Sequence, residues 1–562
     1  MQMLDNLRVA WILKDIGDLL KLKGANYFQI QSYYDVSKRI KNLDIDIREL
    51  AMNDKLQDIE GIGDGLASTI NEVLDEGTCA RYEELKNEIP IGLLEILDLP
   101  GIGPKKVKLF HDELGIENLE ALKEAADNRK LRKLSGVGAK TEFKILDAIK
   151  KFKGKDQKVT LDLATTVSEE LINICSRFKE VEKIEVVGGL RRKEELIDDI
   201  DLLVATNRSQ PFMETVQKLP LVTEVIKKSE DRLKVGSKLG VDIDIFFVSN
   251  SNFSTTLVLA TGNEGHYKQL SELAKAKNCE LKEEAITSEE KVYKALDLPY
   301  IIPEIRTGDR EIELAMNDDL PTVLKIEDIK GDLHMHTKWS DGGNTTYEMA
   351  VACQEKGYEY LAVCDHSRSL GIAGGLSLDD LRKQMVEVDR VNEKLENFQV
   401  LKGAEVDILY NGDLDYPIDI LEELDIVVAS IHSGFKQTEE QMTERILNAL
   451  EHDEVNILAH PTGRLLGKRD GYAVDIKRVI SKAVETDTIL EINASPERLD
   501  LSSDNLRLAK EAGAKIAINT DAHNIQQLEN MSFGVYNARK GWIEPKDVVN
   551  TYSLSELLAW IN

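Results

Sequence analysis

The spacing of apolar residues divides the chain into three parts with different predicted structures. Residues 1 to about 150 carry apolar side chains at helical intervals, broken by short glycine-rich turns. From Lys158 onward, short apolar strands are mixed with helices, and from Gly331 strands and helices alternate. Because this alternation is typical of parallel strands joined by crossover helices, the last part is predicted to close into a β/α barrel.

Seven apolar segments form the predicted barrel strands, and most of them end in a side chain that can bind a metal ion. The carboxyl ends of parallel barrel strands meet at one face, where such barrels build their sites. Six of the 9 histidines stand at these ends, a concentration that isolated, hydrogen-bonded histidines do not explain. The nine candidate metal ligands are His334, His336, Asp341, His366, Glu405, His432, His460, Asp521 and His523.

The first of these segments, GDLHMHTKWSDGG, illustrates the chemistry. His334 and His336 are two residues apart, and alternate residues of a strand point the same way, so both imidazoles can face one point. Imidazole combined with carboxylate suits Zn²⁺ or Mn²⁺, and nine ligands are enough for three ions. Clustered divalent ions activate water and neutralise phosphate charge, so the predicted reaction is hydrolysis of a phosphate ester. Glu491 and Asn493, on the strand without a ligand, are candidates for orienting the others.

Three glycine-rich turns in the helical part resemble one another: DIEGIGDGLASTI at 58–70, DLPGIGPKKVKLF at 98–110 and KLSGVGAKTEFKI at 133–145. Glycines allow a sharp turn and leave amide N–H groups free at a helix N-terminus, which suits a phosphate. The alternative is that the glycines only end helices. That interpretation is reasonable for one turn, but three matching turns argue against it. The predicted DNA-binding residues are Gly61, Gly63, Gly101, Gly103, Lys105, Gly136, Gly138 and Lys140.

Charge narrows the choice of partner. A formal net charge of −29 argues against nucleic-acid binding over the whole surface. Residues 101–158 differ, with 15 Lys and Arg against 9 Asp and Glu, so this segment is the favoured contact with DNA.

The five cysteines show no CxxC spacing, which predicts a reduced, cytoplasmic protein. No apolar run is long enough to cross a membrane, and no oligomerisation signal is visible, so a monomer is expected.

A second group of carboxylates lies in the middle of the chain. Asp199 and Asp201 are two residues apart on a predicted strand and therefore share a face, while Asp244 lies on another apolar strand. Three carboxylates on adjacent strands can hold Mg²⁺ or Mn²⁺ ions for in-line attack on a phosphate. A solvent-facing strand edge is the alternative, but the strongly apolar neighbours of the first pair argue against it.

These motifs resemble three known modules. The turns resemble helix-hairpin-helix motifs, and the segment from Gly188-Gly189 through Arg192 to Asp199 and Asp201 resembles the signature of family X DNA polymerases. The resemblance implies a nucleotidyltransferase palm and a thumb, with Gly188, Gly189 and Arg192 binding a deoxynucleoside triphosphate and the three carboxylates catalytic. The barrel resembles the PHP (polymerase and histidinol phosphatase) domain, for which Mn²⁺ is the favoured metal.

The order of the modules resembles bacterial family X DNA polymerases with a C-terminal PHP domain. This resemblance implies gap-filling synthesis in base excision repair together with a metal-dependent 3′→5′ exonuclease. Incision at abasic sites and removal of 3′-phosphates are further activities that it implies. Gly189 stands where the family has Ser, and Leu259-Ala260 stands where it has an aromatic pair. We therefore expect weakened polymerisation, with DNA as gapped or 3′-ended substrate.

The expected domains follow from these resemblances. They are an N-terminal helical domain with the first hairpin (1–88), a fingers-like helical region with two hairpins (89–155), the palm (156–250), the thumb (251–310), a linker (311–330) and the PHP domain (331–562).

Three alternative functions are also compatible with the sequence. The first is a DNA-end nuclease or phosphatase whose inactive palm only positions DNA. The second is a small-molecule phosphatase, in which the hairpins would have no purpose. The third is a DNA-binding scaffold without catalysis, which the nine candidate metal ligands argue against.

Overall fold

The computed structural model describes residues 2–41, 43, 45–99, 101–153, 158–219, 221–279 and 287–561. Contacts divide the chain into two compact units. The first comprises Met1–Lys158, Leu163–Glu185 and Asp198–Val248; the second comprises Val159–Asp162, Val186–Ile197 and Ser249–Asn562. The expected boundary between residues 155 and 156 lies outside the described residues.

The first unit begins with helices packed around α1, whose apolar face is buried along most of its length. The helices of this part are α1 (Gln2–Lys23), α2 (Tyr27–Lys41), α3 (Ile47–Met52), α4 (Asp64–Glu76), α5 (Ala80–Glu88), α6 (Leu93–Leu97), α7 (Pro104–Leu114), α8 (Leu119–Asp127) and α9 (Ala139–Lys153). Short 3₁₀ helices occur at Leu56–Asp58 and Leu131–Lys133.

A mixed α/β region follows. Its elements are β1 (Val159–Thr160), α10 (Leu161–Cys175), β2 (Val181–Val186), α11 (Gly188–Arg191), β3 (Leu196–Ile197), β4 (Asp199–Thr206), α12 (Gln210–Val216), β5 (Val222–Lys228), β6 (Arg232–Ser237) and β7 (Asp242–Val248). Five strands form a sheet in the order β2-β4-β7-β6-β5, in which β4 and β7 are parallel and β6 is antiparallel to both of its neighbours. The short strands β1 and β3 pair separately.

The second unit takes in β1, α11 and β3 of that region, and it also contains a helical region and the barrel. The helices are α13 (Asn250–Thr261), α14 (Glu264–Ala276), α15 (Glu289–Ala295) and α16 (Glu311–Met316), with 3₁₀ turns at Pro303–Ile305 and Ile326–Asp328. They surround a core in which His266 is fully buried between Glu311 and Tyr293. Both ring nitrogens of His266 are therefore engaged inside this core.

The barrel has seven parallel strands, each followed by helix or turn. Its elements are β8 (Gly331–Met335), α17 (Thr346–Glu355), β9 (Tyr360–Val363), α18 (Leu378–Asn392), β10 (Gln399–Asp407), α19 (Ile418–Leu421), β11 (Ile426–Ser430), α20 (Glu439–Ala449), β12 (Ile457–Leu458), α21 (Ile476–Glu485), β13 (Ile489–Asn493), α22 (Ser503–Ala512), β14 (Ile516–Asn519), α23 (Met531–Lys540) and α24 (Leu554–Ile561). Four 3₁₀ helices complete it, at Gly371–Ala373, Ile525–Asn530, Pro545–Asp547 and Val549–Thr551.

The sheet is nearly closed. Its strands follow chain order from β8 to β14, and the first and last strands meet through hydrogen bonds from His336 N to Ala522 O (2.9 Å) and from Asp521 N to His334 O (3.0 Å). Alternate side chains of β9 face different apolar clusters: Leu361 and Val363 pack with the surrounding helices, whereas Tyr360, Ala362 and the buried Cys364 lie in a second cluster with α24. The predicted fold class, helical hairpins followed by an α/β region and a barrel, is confirmed.

Candidate active sites

All nine predicted barrel ligands come together at the carboxyl end of the strands. Three groups of side chains place their ligand atoms within 4.8 Å of one another. The first group is His336, Asp341, His366 and His523; the second is His334, His336 and Asp521; the third is His366, Glu405 and His432. His460 Nε2 lies 3.0 Å from Glu405 Oε1, beside the third group. Because His336 and His366 are shared, the groups form one continuous cluster.

The polar atoms of this cluster fit a set of divalent cations. Five imidazole nitrogens of four residues are buried without a well-aligned hydrogen bond among the described residues: His334 Nε2, His336 Nδ1 and Nε2, His366 Nδ1 and His460 Nδ1. Buried nitrogens without partners are costly unless a ligand satisfies them. Carboxylate oxygens stand close by, at 3.0 Å from His336 Nε2 to Asp521 Oδ1 and 2.7 Å from His366 Nδ1 to Glu405 Oε2. Mixed imidazole and carboxylate donors suit Mn²⁺, Zn²⁺ or Fe²⁺.

The electrostatics of the metal-free cluster follow from the same proximity. Burial alone would lower the pKa of His366, but Glu405 and Asp341 raise it to about 10. Burial acts in the same direction on His523, and it is again outweighed by Asp341 and Asp521, which raise the pKa of this imidazole to about 9. In contrast, burial and its positively charged neighbours lower the pKa of His336 to about 3. Protons therefore occupy part of the cluster near neutral pH, and metal binding must displace them.

Buried carboxylates around the cluster fix the orientation of the imidazoles. Glu491 is fully buried and accepts from His334 Nδ1 (2.8 Å), leaving Nε2 of that ring free to face the cluster. Its other oxygen accepts from the backbone N–H of His460 (2.8 Å). The predicted orienting role of Glu491 therefore matches its contacts. Asn493 instead donates to Asp521 Oδ2 (2.9 Å).

Sequence reasoning missed Asp407. This carboxylate accepts from His432 Nδ1 at 2.7 Å and also binds the hydroxyl of Ser369. Asp407 lies two residues after Glu405 on β10, so both side chains project from the same face of the strand. This two-residue spacing is the same as that of His334 and His336, and it was the sequence signal that Asp407 faces the same side as Glu405.

The predicted polymerase carboxylates also come together, in the first unit. Asp199 and Asp201 lie on β4, and the parallel register of β4 and β7 places Asp244 opposite Asp201. Burial, with Asp199 and Asp244 adding to it, raises the pKa of Asp201 to about 7. Arg232 on β6 binds Asp244 through two hydrogen bonds, one of them 2.8 Å from Nε to Oδ1. Carboxylate oxygens on neighbouring strands are a suitable site for Mg²⁺ or Mn²⁺.

The residues predicted to bind the triphosphate belong to the second unit. Gly188 has a positive φ of 63° and begins α11 with Gly189. Arg192 donates to the carbonyl of Thr261 (2.8 Å) and to Glu194 (3.3 Å). Its guanidinium is therefore already hydrogen-bonded within this unit.

The segment after Arg192 is attached to the barrel by three successive side chains. Lys193 Nζ lies 4.7 Å from the ring centroid of Tyr536, and Glu194 binds Lys540 (2.5 Å). Glu195 forms a two-pronged ion pair with Arg464, at 2.8 and 3.0 Å. Arg464 follows the metal-type residue His460 by four positions, and its guanidinium is taken up by this pair rather than exposed for a substrate phosphate.

The three glycine turns share one backbone conformation. The first glycine of each has a positive φ: 92° at Gly61, 81° at Gly101 and 78° at Gly136. The second glycine directly precedes a helix, α4, α7 or α9. A Cβ atom added at Gly101, Gly103, Gly136 or Gly138 would meet no atom within 4 Å, so these turns have open space beside them. Lys105 and Lys140 are exposed near the start of the helices that follow.

Comparison with known proteins covers nearly the whole chain. Four family models match: "Helix-hairpin-helix domain" at residues 4–79, "SAM-like Helix-hairpin-helix tandem" at 93–151, "DNA polymerase beta thumb" at 256–307 and "PHP domain" at 332–495. The "DNA polymerase/3'-5' exonuclease PolX" of Bacillus subtilis (strain 168) is 39% identical over 563 residues, which span 98% of this chain and 98% of that protein. The chain belongs to the PolX family.

Other relatives of this PolX family member match a shorter stretch of the chain. A probable phosphatase of Thermoanaerobacter sp. (strain X514) is 34% identical over 203 residues, covering 34% of this chain and 78% of the phosphatase. A probable phosphatase of Clostridium acetobutylicum is likewise 34% identical over 203 residues, with the same shares. Within the described residues, no helix is both long and apolar enough to span a bilayer.

Proposed function

We propose that this chain processes DNA ends with two separate catalytic centres. The barrel hydrolyses phosphodiester bonds at the 3′ end of DNA, and the carboxylates of β4 and β7 serve a template-directed polymerase that fills gaps. The proposal is supported chiefly by the continuous cluster of nine ligand residues, together with family membership over 98% of the chain. Incision at abasic sites and removal of 3′-phosphates are further phosphate-ester hydrolyses that the same cluster could carry out.

The residues of the barrel have two kinds of role, metal ligation and orientation of the ligands. His336 and His366 belong to two groups each and are the shared ligands, while Glu491 and Asp407 hold the tautomers of His334 and His432. Divalent cations bound here lower the pKa of water towards neutrality and offset the charge of the attacked phosphate. We assign Mn²⁺ as the metal of the barrel, with Zn²⁺ as the alternative, and Mg²⁺ or Mn²⁺ at the polymerase carboxylates.

The polymerase centre uses three carboxylates whose neighbours favour metal binding. Asp199, Asp201 and Asp244 would hold the metal ions, and Gly188, Gly189 and Arg192 would bind the triphosphate. Gapped DNA is bound without sequence preference by the glycine turns, whose open amides and exposed lysines suit phosphates. We further propose that the chain acts as a monomer in the cytoplasm, in keeping with five cysteines that form no disulfide.

A second candidate function retains the nuclease and discards the polymerase. It is favoured by two observations: Gly189 and Leu259-Ala260 depart from the family pattern, and Arg192 is already bonded to Glu194 and Thr261. In that case the palm would serve only to position DNA. Primer extension on gapped DNA with Mg²⁺ and with Mn²⁺ distinguishes the two, because a rate typical of a full family X polymerase would exclude weakened synthesis.

One experiment tests both centres. End-labelled single-stranded and gapped DNA are incubated with Mn²⁺, with and without deoxynucleoside triphosphates. His336→Ala should abolish degradation and leave extension intact, whereas Asp201→Ala should do the reverse. Degradation that survives His336→Ala would place the nuclease outside the barrel.

A further inference from the structure

Two apolar side chains stand exposed beside the metal cluster, on loops that leave directly from its ligands. Ile372 is 97% exposed, and Tyr410 is 65% exposed. Ile372 is on the loop after His366, and Tyr410 is on the hairpin that follows β10, the strand that carries Glu405. A single exposed apolar residue needs no explanation, but two on loops that follow ligands of the same cluster suggest a ligand with apolar surfaces.

The loop that carries Ile372 is held firmly. It departs from His366 and returns to it, because Leu376 N donates to His366 O (2.8 Å). Ser369 N and Arg368 both bind Asp415 (2.7 and 3.2 Å), which ties the loop to the neighbouring hairpin. A Cβ atom at Gly375 would collide with the carbonyl of Ser367, so the loop is also closed tightly on itself. Its exposed tip is therefore a fixed feature of the site.

Tyr410 is fixed in a comparable way. Its hairpin is closed by the antiparallel bridge between Ile408 and Leu414. The backbone carbonyl of Tyr410 accepts from Gln437 (3.3 Å), and the Tyr410 ring lies beside Gly434, where an added Cβ would be 3.3 Å from the ring. Gly434 is in the loop that follows His432, so the ring stands next to that ligand loop with most of its surface free.

The two side chains therefore lie on loops that adjoin the segments of one metal group. His366, Glu405 and His432 form that group, and the loops of Ile372 and Tyr410 extend from, or pack against, the segments that carry these three ligands. A DNA strand whose terminal phosphate reaches this group must place its last bases next to the surrounding loops. Aromatic rings stack on bases of any sequence, and apolar wedges separate neighbouring bases.

We propose that Tyr410 and Ile372 bind the terminal bases of the DNA strand, with Tyr410 stacking on one base and Ile372 wedging against its neighbour. Both are positioning residues: they hold the strand end so that its terminal phosphodiester lies at the metal cluster. The inference rests on the proposed nuclease function, since it names the part of the substrate that the loops recognise. Because both contacts are independent of base identity, digestion should show little sequence preference.

The test compares substrates that differ only in their bases. One is a 5′-labelled single-stranded oligonucleotide; the other carries abasic tetrahydrofuran residues at its last three positions. Nucleotide release with Mn²⁺ is measured for the full-length protein and for Tyr410→Ala, Tyr410→Phe and Ile372→Ser. Val386→Ser is the matched control, because Val386 is an exposed apolar residue (48%) on the barrel helix α18.

On natural DNA, Tyr410→Ala should raise KM by about 5- to 150-fold, the range expected for the loss of one stacked base. Ile372→Ser should raise KM by about 3- to 10-fold, because only part of its apolar surface contacts a base. Tyr410→Phe and Val386→Ser should behave like the unaltered protein. On the abasic substrate, all variants should match the unaltered protein, which should itself bind less tightly.

Two results would overturn the inference. Equal KM values for all variants on natural DNA would show that neither side chain contacts the strand. An equal loss on both substrates, accompanied by reduced Mn²⁺ content, would show that the loops only support the metal site. Failure of the proposed function would look different, because the unaltered protein would then release no nucleotides from either DNA.

Discussion

Glu491 allows the orientation of the metal ligands to be tested without removing a ligand. We predict that Glu491→Gln weakens metal binding in the barrel. The carboxylate accepts from His334 Nδ1 and Asn519 Nδ2 at one oxygen (2.8 and 3.0 Å) and from His460 N at the other (2.8 Å). Glutamine has nearly the same shape, but one end of its amide only donates, so it cannot accept at both positions.

Either orientation of the glutamine is unfavourable. With its oxygen towards His334, its NH₂ group meets the backbone N–H of His460. With the amide reversed, the NH₂ group meets His334 Nδ1 and Asn519. In that orientation His334 can keep the contact only by moving its proton to Nε2, the nitrogen that faces the cluster, which then cannot bind a metal ion.

The magnitude follows from the loss of one orienting hydrogen bond and one unsatisfied buried donor. Removing such a partner of a ligand typically lowers metal affinity 10- to 100-fold, which corresponds to about 1.4 to 2.7 kcal/mol. A donor left unpaired in a fully buried site lowers the free energy of unfolding by roughly 1 to 3 kcal/mol. Primer extension should not change, because Glu491 lies in the barrel.

The assay is a titration of exonuclease activity with buffered Mn²⁺, together with urea unfolding of the metal-free protein. Glu529→Gln is the control, because the Glu529 side chain is 79% exposed and makes no contact with the cluster among the described residues. A half-saturating Mn²⁺ concentration within twofold of the unaltered protein would refute the reasoning. So would an equal shift in both variants.

Three further predictions concern the first unit. Because burial and two neighbouring carboxylates raise the pKa of Asp201 to about 7, deprotonation between about pH 4 and pH 7 destabilises the metal-free fold. Asp201→Asn should therefore raise the free energy of unfolding at pH 8 by up to about 4 kcal/mol and have little effect at pH 4. Urea unfolding in EDTA measures this difference, and the same difference at both pH values would contradict the prediction. Arg232→Ala leaves the carboxylate of Asp244, which is 2% exposed, without its ion pair, so stability should fall by about 3 to 5 kcal/mol and Mg²⁺ should restore part of it. An unchanged melting temperature would exclude this role for Arg232. The double variant Lys105→Ala, Lys140→Ala should reduce the salt dependence of binding to gapped DNA, by about 0.9 in the log–log slope for each DNA phosphate that the protein no longer neutralises. Fluorescence anisotropy over a range of salt concentrations measures that slope, and an unchanged slope would place the DNA-binding surface elsewhere.

The barrel was predictable because its sequence signals are local. Each strand is a short apolar run, and the metal-type side chain follows within a few residues, so strand alternation alone brings the ligands to one face. The seven predicted strands correspond to β8 through β14. Asp407 was missed because its one sequence signal, the two-residue spacing from Glu405, is weak by itself, and only the fold reveals that it lies 2.7 Å from His432.

The division of the chain into two compact units could not be predicted from the sequence. Residues 186–197 lie in the middle of the predicted palm, yet they belong to the same compact unit as the barrel. Their attachment depends on charged pairs such as Glu195 with Arg464, which are separated by 269 positions. The sequence does not indicate which charged surface residues pair with one another, so such ion pairs can be identified only when the fold is known.

That attachment determines where the chain can be divided. A fragment starting at Gly331 would contain every barrel ligand but would lack Glu194 and Glu195. Lys540, whose side chain is only 7% exposed, and Arg464 would then be without their acidic partners, at a cost of roughly 1 to 3 kcal/mol for each group left unpaired. Cutting at the linker would therefore yield a weakened nuclease, and low activity of such a fragment would say little about the intact enzyme.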